Sequence, residues 1–331
     1  MSKSLQLLSL ISKSLIIIQL AICCLQCISA TKIISSNSSN SDDIDKNFDD
    51  KPKLFVNTDN CGLKKPTAAI DGYIIGGSEA TAGQFPWQVS LQKRQSGLWL
   101  HTCGAVVLNK RWLLTAAHCI NGLSEQSLRA LVGTHLLNVK PPGTTGQAAV
   151  YRISKIIKHQ DFSADNMANN LALIRLTAAI NLDNSDGLIN SVCLPNTGDK
   201  FTQYVTLSGW GLTTVSGSGG QQQQQQQPVT SNKLMFVSDV PIVSLPKCRS
   251  IYGMNWIREG MLCAGAPKGQ QSPKGFCQGD NGGPLIQTDP NGRAILVGIS
   301  SFNARCASPD GTPDVFVEIS NYRQWIDKNA V

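Results

Sequence analysis

Leu113-Leu114-Thr115-Ala116-Ala117-His118-Cys119 is the stretch from which the chain is best read. Its first half, with Trp112, reads as a short strand; its second half passes through small residues to a histidine beside a cysteine. Similar short β-rich runs lie on either side: Gln88 to Gln92, Gly104 to Leu108, Ala130 to Val132, Leu171 to Leu176, Thr206 to Gly209 and Ile295 to Ser300. Gly, Pro and Asn separate them. Short strands at close spacing with turn signals between them predict an all-β barrel or sandwich. Only the end reads as helix, with Tyr322, Trp325 and Ile326 at helical spacing behind Ser320 as a cap.

Composition agrees. The 331 residues are 15% charged and include 29 glycines and 15 prolines, a profile for a β-rich globular protein rather than a coiled coil. Residues 1–30 carry Lys3 and Lys13 but no acid, an apolar run from Leu15 to Cys27, and small residues ending at Ala30. That is the pattern of a secretory signal peptide, and the run is shorter than the roughly 20 residues of a membrane span. Residues 31–73 begin rich in Ser, Asn and Asp and read as a flexible pro-segment, with a glycosylation sequon at Asn37-Ser38-Ser39. Ser216 to Gly220 and the run Gln221 to Gln227 read as a solvated loop.

Eight cysteines remain beyond the leader: Cys61, Cys103, Cys119, Cys193, Cys248, Cys263, Cys277 and Cys306. An even number in a secreted chain implies disulfides, and no pair has zinc-site spacing. Of the net charge of +7, the leader holds +2 and residues 31–73 hold −1, leaving +6 without a basic block. Nucleic acid is therefore excluded as a partner, and the charge reads as an ordinary basic surface.

Six phrases in order carry a family resemblance: Ile74-Ile75-Gly76-Gly77, Gln84-Phe85-Pro86-Trp87-Gln88-Val89, the histidine stretch quoted above, Val192-Cys193-Leu194-Pro195, Ser208-Gly209-Trp210-Gly211, and Gly279-Asp280-Asn281-Gly282-Gly283-Pro284. Over residues 74–331 the chain resembles the chymotrypsin/trypsin serine proteases. The resemblance implies two antiparallel six-stranded β-barrels with a cleft between them and a short C-terminal helix. It also implies the pairs Cys103–Cys119, Cys248–Cys263, Cys277–Cys306, and Cys61–Cys193 tethering the pro-segment.

The same resemblance places the catalytic triad at His118, Asn170 and Asn281, where the family has histidine, aspartate and serine. An amide is a poor nucleophile, and Asn170 brings no charge to an imidazolium and can favour the wrong tautomer. The reading that follows is a non-catalytic homologue: a secreted pseudoenzyme acting as cofactor, decoy or sequesterer, with a protein or peptide ligand such as another protease of a cascade. The alternative is an active endopeptidase with an atypical site. The oxyanion hole falls on Gly279 and Asn281, and the activation pair on Ile74 and Asp280, although Tyr73 precedes the cut. The specificity pocket falls on Gly275, Asn303 and Asp314 and reads as narrowed, negatively charged and blocked. Thr134 stands where a calcium ligand is expected, so no metal and no cofactor is implied.

Overall fold

A computed structural model describes residues 57–65, 77–138, 148–201, 203–211, 231–265, 275–306, 308 and 310–331. The leader, Asn37, the Tyr73–Ile74 bond and the glutamine run lie outside the described residues.

The first barrel is a closed ring of six antiparallel strands. In chain order they are β2 (Gln88–Gln95), β3 (Leu98–Val107), β4 (Trp112–Thr115), β5 (Leu128–Val132), β6 (Ala149–Lys158) and β7 (Ala172–Leu176). Around the ring the order is β2-β3-β4-β7-β6-β5. The second barrel uses β8 (Tyr204–Gly209), β9 (Met235–Val243), β10 (Met261–Ala264), β11 (Pro284–Thr288), β12 (Ala294–Phe302) and β13 (Asp314–Glu318). Its order is β9-β10-β13-β12-β11-β8, closed by the pairing of β8 with β9. The long β9 also accepts the two-residue β1 (Ser78–Glu79) at its start, with Phe236 opposite Ser78. Closure removes the long free edges of both six-stranded sheets, leaving only the two-residue β1 as an outer strand among the described residues.

Trp112 to Thr115 forms the strand that the sequence suggested, and all four of its residues are buried. Complete burial replaces alternation because both faces of β4 are covered. One continuous apolar cluster joins Leu113 and Leu114 to Leu171 and Leu173, and to Ile319, Tyr322 and Ile326 of the C-terminal helix. At about 1.5–3 kcal/mol for each fully buried large apolar side chain, this cluster supplies most of the drive to assemble the first barrel.

Strands that sequence reading passed over, such as β6, β9 and β13, have mixed or short patterns. In β6 Arg152, Ser154, Lys155 and Lys158 are exposed while Ile153 alone is fully buried, and a bulge after Ile153 breaks the alternation.

Two helices are described. α1 (Leu245–Tyr252) escaped sequence reading; Pro246 near its start is compatible with a first helical turn. α2 (Ile319–Asn329) is the C-terminal helix, but its cap corrects the expectation. Glu318 holds the N-cap position without a side-chain cap bond, and Ser320 lies inside the helix, fully buried. The apolar face, with Ile319, Tyr322 and Ile326 against the first barrel, sets where the helix begins.

All four disulfides are formed: Cys61–Cys193, Cys103–Cys119, Cys248–Cys263 and Cys277–Cys306. The first ties residues 57–65 to the body. Backbone bonds from Gly62 N–H to Ser191 O (2.7 Å) and Ala294 N–H to Gly62 O (2.9 Å) reinforce it.

Candidate active site

His118 sits in a 3-10 turn, Ala117–Ile120, that leaves the end of β4. Asn170 precedes β7, the strand paired with β4, so the two residues meet although 52 positions separate them. The Asn170 side chain is fully buried and makes three contacts. Its Oδ1 accepts the His118 backbone N–H at 2.9 Å. Its Nδ2 donates to Ser301 Oγ and to His118 Nδ1, each at 2.8 Å.

This arrangement determines a tautomer. With Oδ1 spent on a backbone donor, the amide presents hydrogens to the ring, so Nδ1 must offer its lone pair. The proton therefore sits on Nε2. Burial also holds the His118 imidazole below its ordinary pKa, so it is neutral at pH 7. A carboxylate at position 170 would accept from Nδ1–H and leave Nε2 free to take a proton.

The turn Gly279–Gly283 brings the second barrel against the first. Gly282 adopts φ +77°, and a Cβ there would strike Thr115 Oγ1, lie 2.5 Å from Gly104 O and 3.2 Å from Cys119 Sγ. Asn281 O accepts Gly104 N–H at 2.7 Å. Thus Asn281 lies on a turn pressed onto the disulfide next to His118. The N–H groups of Gly279 and Asn281 have no acceptor among the described residues, and Asn281 Oδ1 is buried without a partner. Unengaged N–H groups on a turn are the kind of donor that a developing oxyanion needs.

Two buried groups hold this turn. Asp280 accepts from Gly211 N–H (2.6 Å) and Cys277 N–H (2.9 Å), and burial pushes its pKa up to about 6. It lies so close over Gly209 and Gly211 that a Cβ at either would collide with its carboxylate. On the other side His101, which sequence reading missed, donates from Nε2 to Gly279 O at 2.8 Å. Its Nδ1 accepts from Ser90 Oγ, also at 2.8 Å. Nothing in the local sequence marks His101, because both of its partners come from other segments.

Burial lowers the His101 pKa to about 4. The unfolded chain, with an ordinary histidine near 6.5, then binds more protons between those values than the fold does. The stability due to neutral His101 is complete above about pH 6.5 and is lost as pH falls towards about 4, a swing of about 3 kcal/mol. Asp280 acts in the opposite sense over part of that window. The contribution is therefore expected as a gap between His101→Gln and wild type that widens from about pH 4 to about pH 6.5 and is constant above, in urea denaturation at stepped pH. A gap independent of pH would contradict it.

At the pocket positions, Asp314 Oδ2 accepts Phe276 N–H and Asn303 Nδ2 donates to Phe276 O, each at 2.7 Å. Both side chains are thus spent on the residue after Gly275. Burial raises the Asp314 pKa to about 8, which corrects the expected negative charge: at neutral pH this carboxyl is mostly protonated.

Cys103, His118 and Cys119 offer ligand atoms within 4.8 Å of one another, but both sulfurs are in the disulfide and so are not thiolates. Thr134 Oγ1 is engaged within its own turn, with Leu136.

The trypsin family model matches residues 74–326, which contain both barrels and every residue of the site. The chain belongs to the trypsin family.

Among its relatives is a trypsin-1 of Astacus astacus, 36% identical over 261 residues, covering 78% of this chain and all of the relative. A trypsin delta of Drosophila erecta is 34% identical over 264 residues, 79% of this chain and 90% of the relative. A venom peptide isomerase heavy chain of Agelenopsis aperta is 34% identical over 267 residues, 78% of this chain and all of the relative. These similarities overturn the expectation that the chain is not an enzyme. The physical weakness of that expectation lies in equating the absent hydroxyl with absent chemistry. Trypsin-family enzymes stripped of triad members still exceed the reaction in water by about 10³–10⁴, through the oxyanion hole and substrate binding alone; that magnitude belongs to relatives.

Among the described residues no helix is long and apolar enough to cross a membrane.

Proposed function

We propose that this protein is a secreted hydrolase of polypeptides that works through an atypical trypsin-family site. The observation that carries the proposal is the combination of family membership across the whole site with a neutral histidine and two N–H groups that have no acceptor among the described residues, on a turn packed against the Cys103–Cys119 disulfide.

The substrate carbonyl is held by the N–H groups of Gly279 and Asn281, with the Asn281 amide beside it. No hydroxyl stands there, so no acyl-enzyme forms. The attacking oxygen comes directly from water. Because Asn170 keeps the proton on Nε2, His118 serves as a hydrogen-bond donor to the carbonyl oxygen, keeping its proton, and the departing amine takes its proton from solvent water. The proton of the attacking water leaves to solvent, and the rate rises with pH. Gly275, Asn303 and Asp314 form a narrow pocket for a small side chain, uncharged below about pH 8.

Maturation belongs to the same proposal. Cleavage after Tyr73 frees the Ile74 amino group, a cation for the buried Asp280, which has no cationic partner among the described residues. Residues 57–65 stay attached through Cys61–Cys193. The leader (1–30), the pro-segment (31–73) with its sugar at Asn37, and the domain 74–331 are the corresponding parts.

The test is turnover of a denatured protein, read as new termini by mass spectrometry, with His118→Ala from the same expression host as control. Slow cleavage that rises with pH, shows no burst and survives a serine-directed fluorophosphonate is expected. Wild-type cleavage no faster than that of His118→Ala would overturn the proposal.

A further inference from the structure

The outer face of the first barrel places like charges directly opposite one another. Arg129 of β5 faces Arg152 of β6, and Lys155 of β6 faces Arg175 of β7. Residues opposite each other in antiparallel strands share a face, and like charges so placed repel. The bulge after Ile153 keeps both pairs outward, because Ile153 and Leu176 take the inward position between them. Arg111 joins the group. Its Nη1 donates to Thr177 O, and Thr177 N–H donates to Arg152 O.

No carboxylate pairs with any of these five side chains among the described residues; the ion pairs of the chain lie elsewhere. Glu125, on the 3-10 turn Glu125–Ser127 beside β6, forms no ion pair among the described residues. Arg152, Lys155 and Arg175 are exposed, while Arg129 is braced by Gln92 at 2.7 Å and by the Trp99 ring.

We propose that this cationic ladder across β5, β6 and β7 is a docking surface for a linear sulfated polysaccharide. Repulsion between the paired cations is a standing penalty that a multivalent anion removes on binding. Adjacent strands lie about 4.8 Å apart, so the two pairs span about 10 Å and match a chain with repeated anions rather than a single ion. Four formed disulfides fit an oxidising extracellular setting, where such glycans are found. The Trp99 face under Arg129 is not open to stacking bases.

The experiment is calorimetric titration of the secreted protein with a heparin oligosaccharide at several salt concentrations. Wild type is expected to bind with a linear loss of log affinity against log salt. Arg152→Ser/Lys155→Ser/Arg175→Ser is expected to lose at least ~10-fold in affinity and about two units of salt slope. Lys247→Ser/Arg258→Ser/Lys328→Ser removes the same charge from other exposed positions and is expected to stay within about twofold of wild type. If the first triple variant does not fold, Arg152→Gln/Arg175→Gln carries the test. Failure of wild type to bind heparin, equal losses in the two triples, or equally tight binding of double-stranded DNA would each overturn the assignment.

Discussion

Asn281→Ser combined with Asn170→Asp is expected to raise turnover by at least ~10⁴ and to make the protein reactive towards a serine-directed fluorophosphonate. The geometry supports this because neither change requires the backbone to move. An aspartate at 170 keeps the acceptor that holds the His118 N–H at 2.9 Å. Its second oxygen replaces an amide nitrogen 2.8 Å from His118 Nδ1, turning a donor that faces a lone pair into an acceptor that faces a proton. The Ser301 hydroxyl, 2.8 Å away, reverses to donate. The proton then resides on Nδ1, and Nε2 becomes the base that the new serine needs.

The two changes are expected to be strongly non-additive. Asn281→Ser alone leaves its hydroxyl facing a protonated Nε2, and Asn170→Asp alone creates a base with no nucleophile to serve. The pH profile separates the states. Wild-type cleavage climbs with pH because its base comes from solvent, whereas the double variant should level off above the His118 pKa. Mass spectrometry of an acyl adduct on the introduced serine, on material cut after Tyr73, completes the check. A double variant with no adduct and no gain would show that the turn does not present residue 281 to the histidine.

Gly282→Ala is expected to destabilise the protein by at least ~4 kcal/mol, beyond the usual range for a surface substitution. Two terms combine. The residue sits at φ +77°, where a Cβ is disfavoured, and the new methyl would collide with Thr115 Oγ1 and come within 2.5 Å of the Gly104 carbonyl. Thr115 cannot give way easily, because its hydroxyl is committed to Gly104 O at 2.8 Å inside a fully buried strand. Relief must come from separating the barrels where the Asn281–Gly104 backbone bond joins them. Denaturant unfolding should show the loss. Gly97→Ala, also at positive φ but with open space around it, is the matched control and should lose only the conformational part.

Much of the candidate site is legible along the chain because its motifs are contiguous. His118 follows a short strand, Asn281 stands within a glycine turn, and the cysteines pair as the family resemblance implied. Sequence reading failed where a side chain's role is set by partners in distant segments. His101 is joined to Ser90 across β2–β3 and to Gly279 178 positions away. Tyr322, legible only as a core residue of the last helix, also donates to Asn169 Oδ1 and so steadies the backbone next to Asn170. Asp314 looked like a negative charge, and burial makes it a neutral acid at pH 7.

The residue types by themselves determined a β-rich domain, barrel or sandwich, with an even set of cysteines for cross-linking, since these follow from local pattern and covalent chemistry. The two barrels, the cysteine pairs and the triad positions came from the family resemblance of six phrases. Tertiary structure alone decided which nitrogen of His118 carries the proton, which acids lose their charge, and which cations face each other on the barrel. Those properties depend on orientation, dielectric and cross-strand register, which exist only once distant segments are in contact.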